Sequence, residues 1–257
     1  MSVLDPNYLL SVLLVFVRIS GLLLAAPFFN QQSFSVRIRV LFAFVLAYAL
    51  AGLVGGPPPD YAYHAFGFMA AIGVEALTGL VIGFSAQLLF LAIQFAGEII
   101  GFQMALGIAQ VYDPVNGQSA NPMGRLLSLA FMLVFVLTDG HHMVLRALEE
   151  SFIVVPLGGA TLQASGPLLL DWTADFFTLS LRLAAPFMIT IFIIDATLGV
   201  FARIVPQADL FSLSLPLKLS LGMAVAYFYM QNLFPIVPDM VEDMTEDLFQ
   251  LVNVLAP

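Results

Sequence analysis

The chain is 257 residues long, 61% hydrophobic and 10% charged, with a formal net charge of −9 and no cysteine. Soluble domains carry about 25% charged residues, so this composition, with a mean hydropathy of +0.99, excludes a soluble globular protein and indicates a membrane protein. The acidic balance argues against nucleic-acid binding, which neutralises phosphates with Lys and Arg. The lack of cysteine excludes disulfides, thiol catalysis and Cys-ligated metal centres.

The amino terminus, MSVLDPNYLL, has no basic stretch before its apolar run, so residues 7–29 are expected to stay in the mature protein as the first helix. Further apolar stretches cover residues 40–54, 65–108, 123–137, 168–204 and 210–237, several of them longer than the roughly 20 residues that span a bilayer. The third and fifth are long enough to form paired or bent helices. Helix-breaking punctuation separates them: Gly55-Gly56-Pro57-Pro58-Pro59, Asp113-Pro114-Val115-Asn116-Gly117, and residues 156–167 with Gly158-Gly159 and Ser165-Gly166. No hydrophilic block is long enough for a separate soluble domain, so residues 1–257 read as one all-α, membrane-embedded unit. If these stretches are taken as successive spans, Arg37, Arg39, Arg125, Arg203 and Lys218 share one side, and the positive-inside rule places both termini outside.

Segment 72–110 has a pattern of its own. At about 100° per residue, Gly79, Gly83, Gly97 and Gly101 fall within a roughly 40° arc, and Gln87, Gln94 and Glu98 within a similar adjoining arc. One helix would carry a backbone-deep groove beside a polar ridge, suited to tight packing in an assembly or, more plainly, within an ordinary helical bundle. The loop that follows, residues 107–123, is almost uncharged and rich in turn-formers. It reads either as a connector or as a re-entrant, plugging segment, since irregular backbone at membrane depth survives only against protein or water.

Two charges stand inside apolar runs, Arg18 in the first and Asp195 in the fifth. A charge at the bilayer centre costs roughly 3 kcal/mol, so each is expected to be buried against a partner, in an ion pair or subunit contact in preference to a proton path. His141 and His142 stand beside Asp139, with His64 remote. Adjacent histidines diverge on a helix and HExxH is absent, so they read as helix-end or interface residues and not as metal ligands. No P-loop, GxSxG or GxGxxG motif is present, and no catalytic, cofactor-binding or metal site is assigned. The acidic tail, about residues 238–257, places Met240, Met244, Leu248 and Leu251 at helical spacing opposite Asp239, Glu242, Asp243, Glu246 and Asp247, an amphipathic end. Two other functions stay open at this point: an ion- or proton-coupled small-molecule transporter using Asp195, Arg18 and the glutamines, and a membrane enzyme using His141 and Asp139.

With these residues in view the chain resembles the FliR family of flagellar type III export-gate proteins, which is related to injectisome SctT-type proteins. The likeness runs almost end to end through Arg18-Ile19-Ser20-Gly21, Ala26-Pro27-Phe28-Phe29, Val36-Arg37-Ile38-Arg39-Val40, Ala96-Gly97-Glu98 and Gln103-Met104. It continues through Gly107, Asp113-Pro114, Gly140-His141, Ser151-Phe152, Pro156-Leu157-Gly158, Arg203, Pro206-Gln207, Phe211, Pro216 and Lys218. One departure is Phe34-Ser35-Val36 where relatives often carry a proline before the paired arginines. The resemblance implies a non-enzymatic subunit of a protein-conducting gate in the bacterial inner membrane at the flagellar basal body. It implies a single copy in a helical assembly with FliP-like and FliQ-like subunits, near FlhB-like and FlhA-like proteins, passing unfolded flagellar proteins driven by energy supplied elsewhere. Helical hairpins lying largely above the bilayer plane, also implied, would set aside the charge-based topology. Carried over, Val111, Tyr112, Asp113, Pro114, Val115, Asn116 and Gly117 become candidates for a loop that seals the closed pore. Gly79, Gly83, Gln87, Gln94, Gly97, Glu98 and Gly101 become interface or lumen candidates by periodicity.

Overall fold

The computed structural model describes residues 6–27, 35–52, 64–106, 121–207 and 209–257, and every element among them is an α-helix. In chain order these are α1 (Pro6–Ala25), α2 (Val36–Leu50), α3 (Ala65–Gln103), α4 (Pro122–Leu137), α5 (Gly140–Val154), α6 (Leu162–Ile204) and α7 (Leu210–Val254). Local chemistry sets several of these limits. Ser35 starts α2 by accepting the Ile38 N–H. Asn121 starts α4, its Oδ1 accepting the Met123 N–H at 3.0 Å while Pro122 takes the first helical position, where no N–H is needed. At the end of α3, Ala105 turns left-handed (φ 60°) as its N–H meets the Phe102 carbonyl and the Leu106 N–H meets that of Gly101. This is the paired bonding that closes many helices, here with alanine where glycine is usual.

The apolar stretches became helices near their expected limits. In the stretches 65–108 and 168–204, expected as paired or bent helices, the described residues form one continuous element each, α3 of 39 and α6 of 43 residues. Helix α5 was not among the apolar stretches because its sequence, GHHMVLRALEESFIV, is amphipathic. The acidic tail is no separate element either, since α7 runs through Pro235 and Pro238 into it. Among the described residues, four helices are long and apolar enough to cross a membrane, with spans in α1, α3, α6 and α7, or five if α4 and α5, bent by 66°, count as one span.

The chain forms two compact units. The first comprises Met1–Leu89, Val136–Thr173 and Met240–Pro257. Its core is built from Leu14, Ile19 and Leu22 of α1, Ile82 and Ala86 of α3, Leu148 and Phe152 of α5, and Leu248 and Leu251 of the tail, all buried. The tail's apolar stripe is thus spent inside its own chain, leaving Glu242, Asp243 and Glu246 exposed. The second unit comprises Phe90–Phe135 and Ala174–Asp239. There Phe90 meets Phe131 and Phe135 edge-on, at 4.8 and 4.9 Å between centroids.

Within the first unit α1 and α3 touch backbone to backbone. A Cβ on Gly83 would lie 2.6 Å from the Leu22 carbonyl oxygen and one on Gly21 2.6 Å from that of Ala76, while one on Gly79 would strike the Arg18 carbonyl. Glycine is required there because no side chain fits between the helices. Gly79→Leu is therefore expected to destabilise the chain by about 1–3 kcal/mol or more, read as a lowered unfolding midpoint of the purified protein; a midpoint equal to wild type would refute the close crossing.

Candidate functional site

Arg18 is fully buried on α1 and paired with the equally buried Glu75 on α3. The contact is bidentate, Nε to Oε2 at 2.5 Å and the second guanidinium nitrogen to Oε1 at 3.0 Å. The remaining donors reach the end of α5, giving hydrogen bonds to the carbonyls of Ser151 (2.7 Å) and Val155 (3.3 Å). The Ser151 carbonyl also accepts the Val155 N–H at 3.1 Å, and a helix C-terminus favours a cation. Phe152 lies 4.6 Å beneath the guanidinium. Glu75 also accepts the Gly158 N–H at 2.6 Å, and Gly158 adopts φ 71° there, a conformation that glycine reaches without strain. Both charges are thereby neutralised and hydrogen-bonded, which is the condition for burying them. Glu75 went unnoticed in the sequence, although it is a carboxylate inside an apolar run as anomalous as Arg18 itself.

The glycine stripe meets helices of the same chain. Gly79 and Gly83 face α1 in the first unit, and a Cβ on Gly97 would strike Gly124 of α4 and one on Gly101 the side chain of Asn121 in the second. At these four positions the glycines allow close helix contacts within the chain. Asn121 is buried and donates from Nδ2 to the Glu98 carbonyl at 3.2 Å. The polar ridge differs from the glycines. Gln94 is exposed and Glu98 half-buried in the second unit. In the first, the carboxamide oxygen of Gln87 is buried with no hydrogen-bond partner among the described residues. The loop candidates Val111, Tyr112, Asp113, Pro114, Val115, Asn116 and Gly117 lie outside the described residues.

Asp195 is not buried within this chain. Its carboxylate on α6 meets Lys218 Nζ of α7 at 2.6 Å, with side-chain exposures of 47% and 20% for Asp195 and Lys218. The surrounding surface is apolar, with Phe192, Ile193, Leu221 and Met223 exposed. At the corner between α4 and α5, Asp139, His141 and His142 come together, while His64 sits exposed just before α3.

The family described as bacterial export proteins, family 1, matches residues 9–244. Among curated proteins, the chain is similar to the flagellar biosynthetic protein FliR of Escherichia coli K12, 27% identical over 92% of this chain and 88% of the relative. It is likewise similar to that of Bacillus subtilis 168, 30% identical over 88% of each chain, and to that of Caulobacter vibrioides, 31% identical over 82% of this chain and 85% of the relative.

Removing one member of the buried pair strands the other. Arg18→Met is expected to cost about 3–5 kcal/mol, measured by denaturant unfolding in detergent, and adding Glu75→Met should recover a large part of that loss. If the two effects simply add, the pair is not coupled as described.

Proposed function

The chain belongs to the bacterial export proteins, family 1, as a membrane protein of flagellar biosynthesis, and from that premise we propose that it is a core, non-enzymatic subunit of the flagellar type III export gate. In this reading one copy, in the inner membrane at the flagellar basal body, joins FliP-like and FliQ-like subunits in a helical assembly beside FlhB-like and FlhA-like proteins. The assembly conducts unfolded flagellar proteins.

The observation that carries this reading is the half-exposed Asp195–Lys218 pair on the α6–α7 surface. Only 22% of the α6 span and 11% of the α7 span is buried by the chain itself. Lipid serves as cover for the apolar part, but charged groups facing hydrocarbon cost roughly 3 kcal/mol each. A protein partner or an aqueous channel must therefore cover that patch, as a gate subunit provides. Gln94 is exposed and Gln87 and Glu98 are half-buried, and we assign all three to contacts with partner subunits or the lumen. We further propose that residues 111–117 help to seal the closed pore, as the resemblance to the FliR family implies.

Mild-detergent purification of the tagged chain from its native host, followed by mass spectrometry, is expected to recover FliP-like and FliQ-like subunits. Deletion of its gene should abolish export of flagellar proteins. A stable species of this chain alone that moves ions or small solutes in vesicles would overturn the reading in favour of a transporter.

Deleting residues 111–117 while the complex still assembles is expected to raise resting ion conductance in reconstituted bilayers. Unchanged conductance would reject the sealing role and leave the subunit assignment intact.

A further inference from the structure

Neither the buried ion pair nor the export reading uses the corner between α4 and α5, where three donor side chains converge. Asp139 takes the left-handed conformation (φ 58°, ψ 21°) ahead of α5, which Asp tolerates better than most residues. It occupies the capping position, yet its side chain makes no capping hydrogen bond. Its Oδ1 lies instead 3.0 Å from Nδ1 of His142. In this first turn the two imidazoles do not diverge, and their centroids are 4.1 Å apart. One ligand atom from each of Asp139, His141 and His142 falls within 4.8 Å of the others.

We propose that Asp139, His141 and His142 bind one divalent transition-metal ion of borderline softness, such as Zn²⁺, Co²⁺, Ni²⁺ or Cu²⁺. Zinc bonds to nitrogen and oxygen of about 2.0–2.2 Å set tetrahedral donors roughly 3.4 Å apart. Rotations of the exposed Asp139 and His142 side chains toward the half-buried His141 close that gap without moving the backbone. Two imidazoles and a carboxylate suit these ions, whereas Mg²⁺ and Ca²⁺ prefer all-oxygen sites. The ion displaces the proton between Asp139 and His142, and three protein ligands leave a position for water. The Asp139 charge offsets the unfavourable field that a helix N-terminus exerts on a cation. On one side His142 borders a cleft of about 230 Å³ lined by Leu46, Leu50, Leu145 and Leu148 together with the charged Arg146 and Glu149. Binding ties the first turn of α5 to its own cap and holds the corner in one conformation.

The chain has 3 histidines, so a His64→Gln parent keeps only the proposed pair. This parent, purified full-length with its bound partners through a tag without histidine, is titrated with Co²⁺ and followed by visible absorption. The expected result is saturable binding of one ion per chain, with the intense bands of four- or five-coordinate cobalt, displaced by Zn²⁺. His142→Gln and Asp139→Asn, the latter keeping a residue that tolerates the left-handed turn, are each expected to weaken binding at least tenfold, the smallest penalty typical even of outer ligand-supporting groups. Zn²⁺ should raise the unfolding midpoint of the parent and leave that of the variants unchanged. Weak octahedral bands, no saturable binding, or binding that survives the Asp139→Asn/His142→Gln double substitution would each overturn the site. The parent titration decides the matter even where a variant fails to accumulate.

Discussion

The buried contact between Arg18 and Glu75 is the constraint around which the first unit is arranged. Two charges removed from solvent incur a desolvation cost that their attraction offsets only when every donor and acceptor is used. Here the use is nearly complete, and each satisfied bond fixes another segment. The carboxylate brings α3 to α1, the spare guanidinium nitrogens bring in the end of α5, and the Gly158 N–H brings in the turn that follows. Apolar packing among leucines tolerates many registers, whereas a charge network tolerates one. The network therefore decides how these segments meet, more than it adds net stability.

That network and the glycine crossing are one device. Gly79 lies one helical turn beyond Glu75, and its missing side chain faces the carbonyl of Arg18 itself. Gly21, three residues beyond Arg18, faces Ala76 of α3 in return. A guanidinium reaches a carboxylate in this bidentate geometry because nothing larger than hydrogen separates the two backbones. In the second unit the same economy operates at Gly97 and Gly101 against Gly124 and Asn121, where Asn121 both caps α4 and bonds to the Glu98 carbonyl.

Away from these crossings the chain leaves much apolar surface uncovered, on α2, α6 and α7 above all. Lipid satisfies most of such a surface. It does not satisfy the charges of Asp195 and Lys218, whose pair stands partly exposed among apolar side chains and leaves that surface incompletely covered. Membership of a bacterial export family is consistent with that incompleteness.

By itself the sequence determined the class of molecule, the family and most helix limits, because hydrophobicity, helical period and capping are local properties. It also marked Arg18 as a charge requiring a partner. It did not reveal which partner, since Glu75 is 57 residues away and a long-range pair leaves no periodic trace. Helical phase placed four glycines on one stripe, but only tertiary packing decided that Gly79 and Gly83 meet α1 and that Gly97 and Gly101 meet α4 and its cap. Composition hid α5, whose amphipathic face is defined only by the core it covers, and it detached a tail that is the continuous end of α7. Spacing on an ideal helix sends His141 and His142 apart, while in the folded chain their ring centroids lie 4.1 Å apart just after a left-handed Asp139. In each case the deciding term was a contact between residues distant in sequence, or a backbone turn that no residue type dictates.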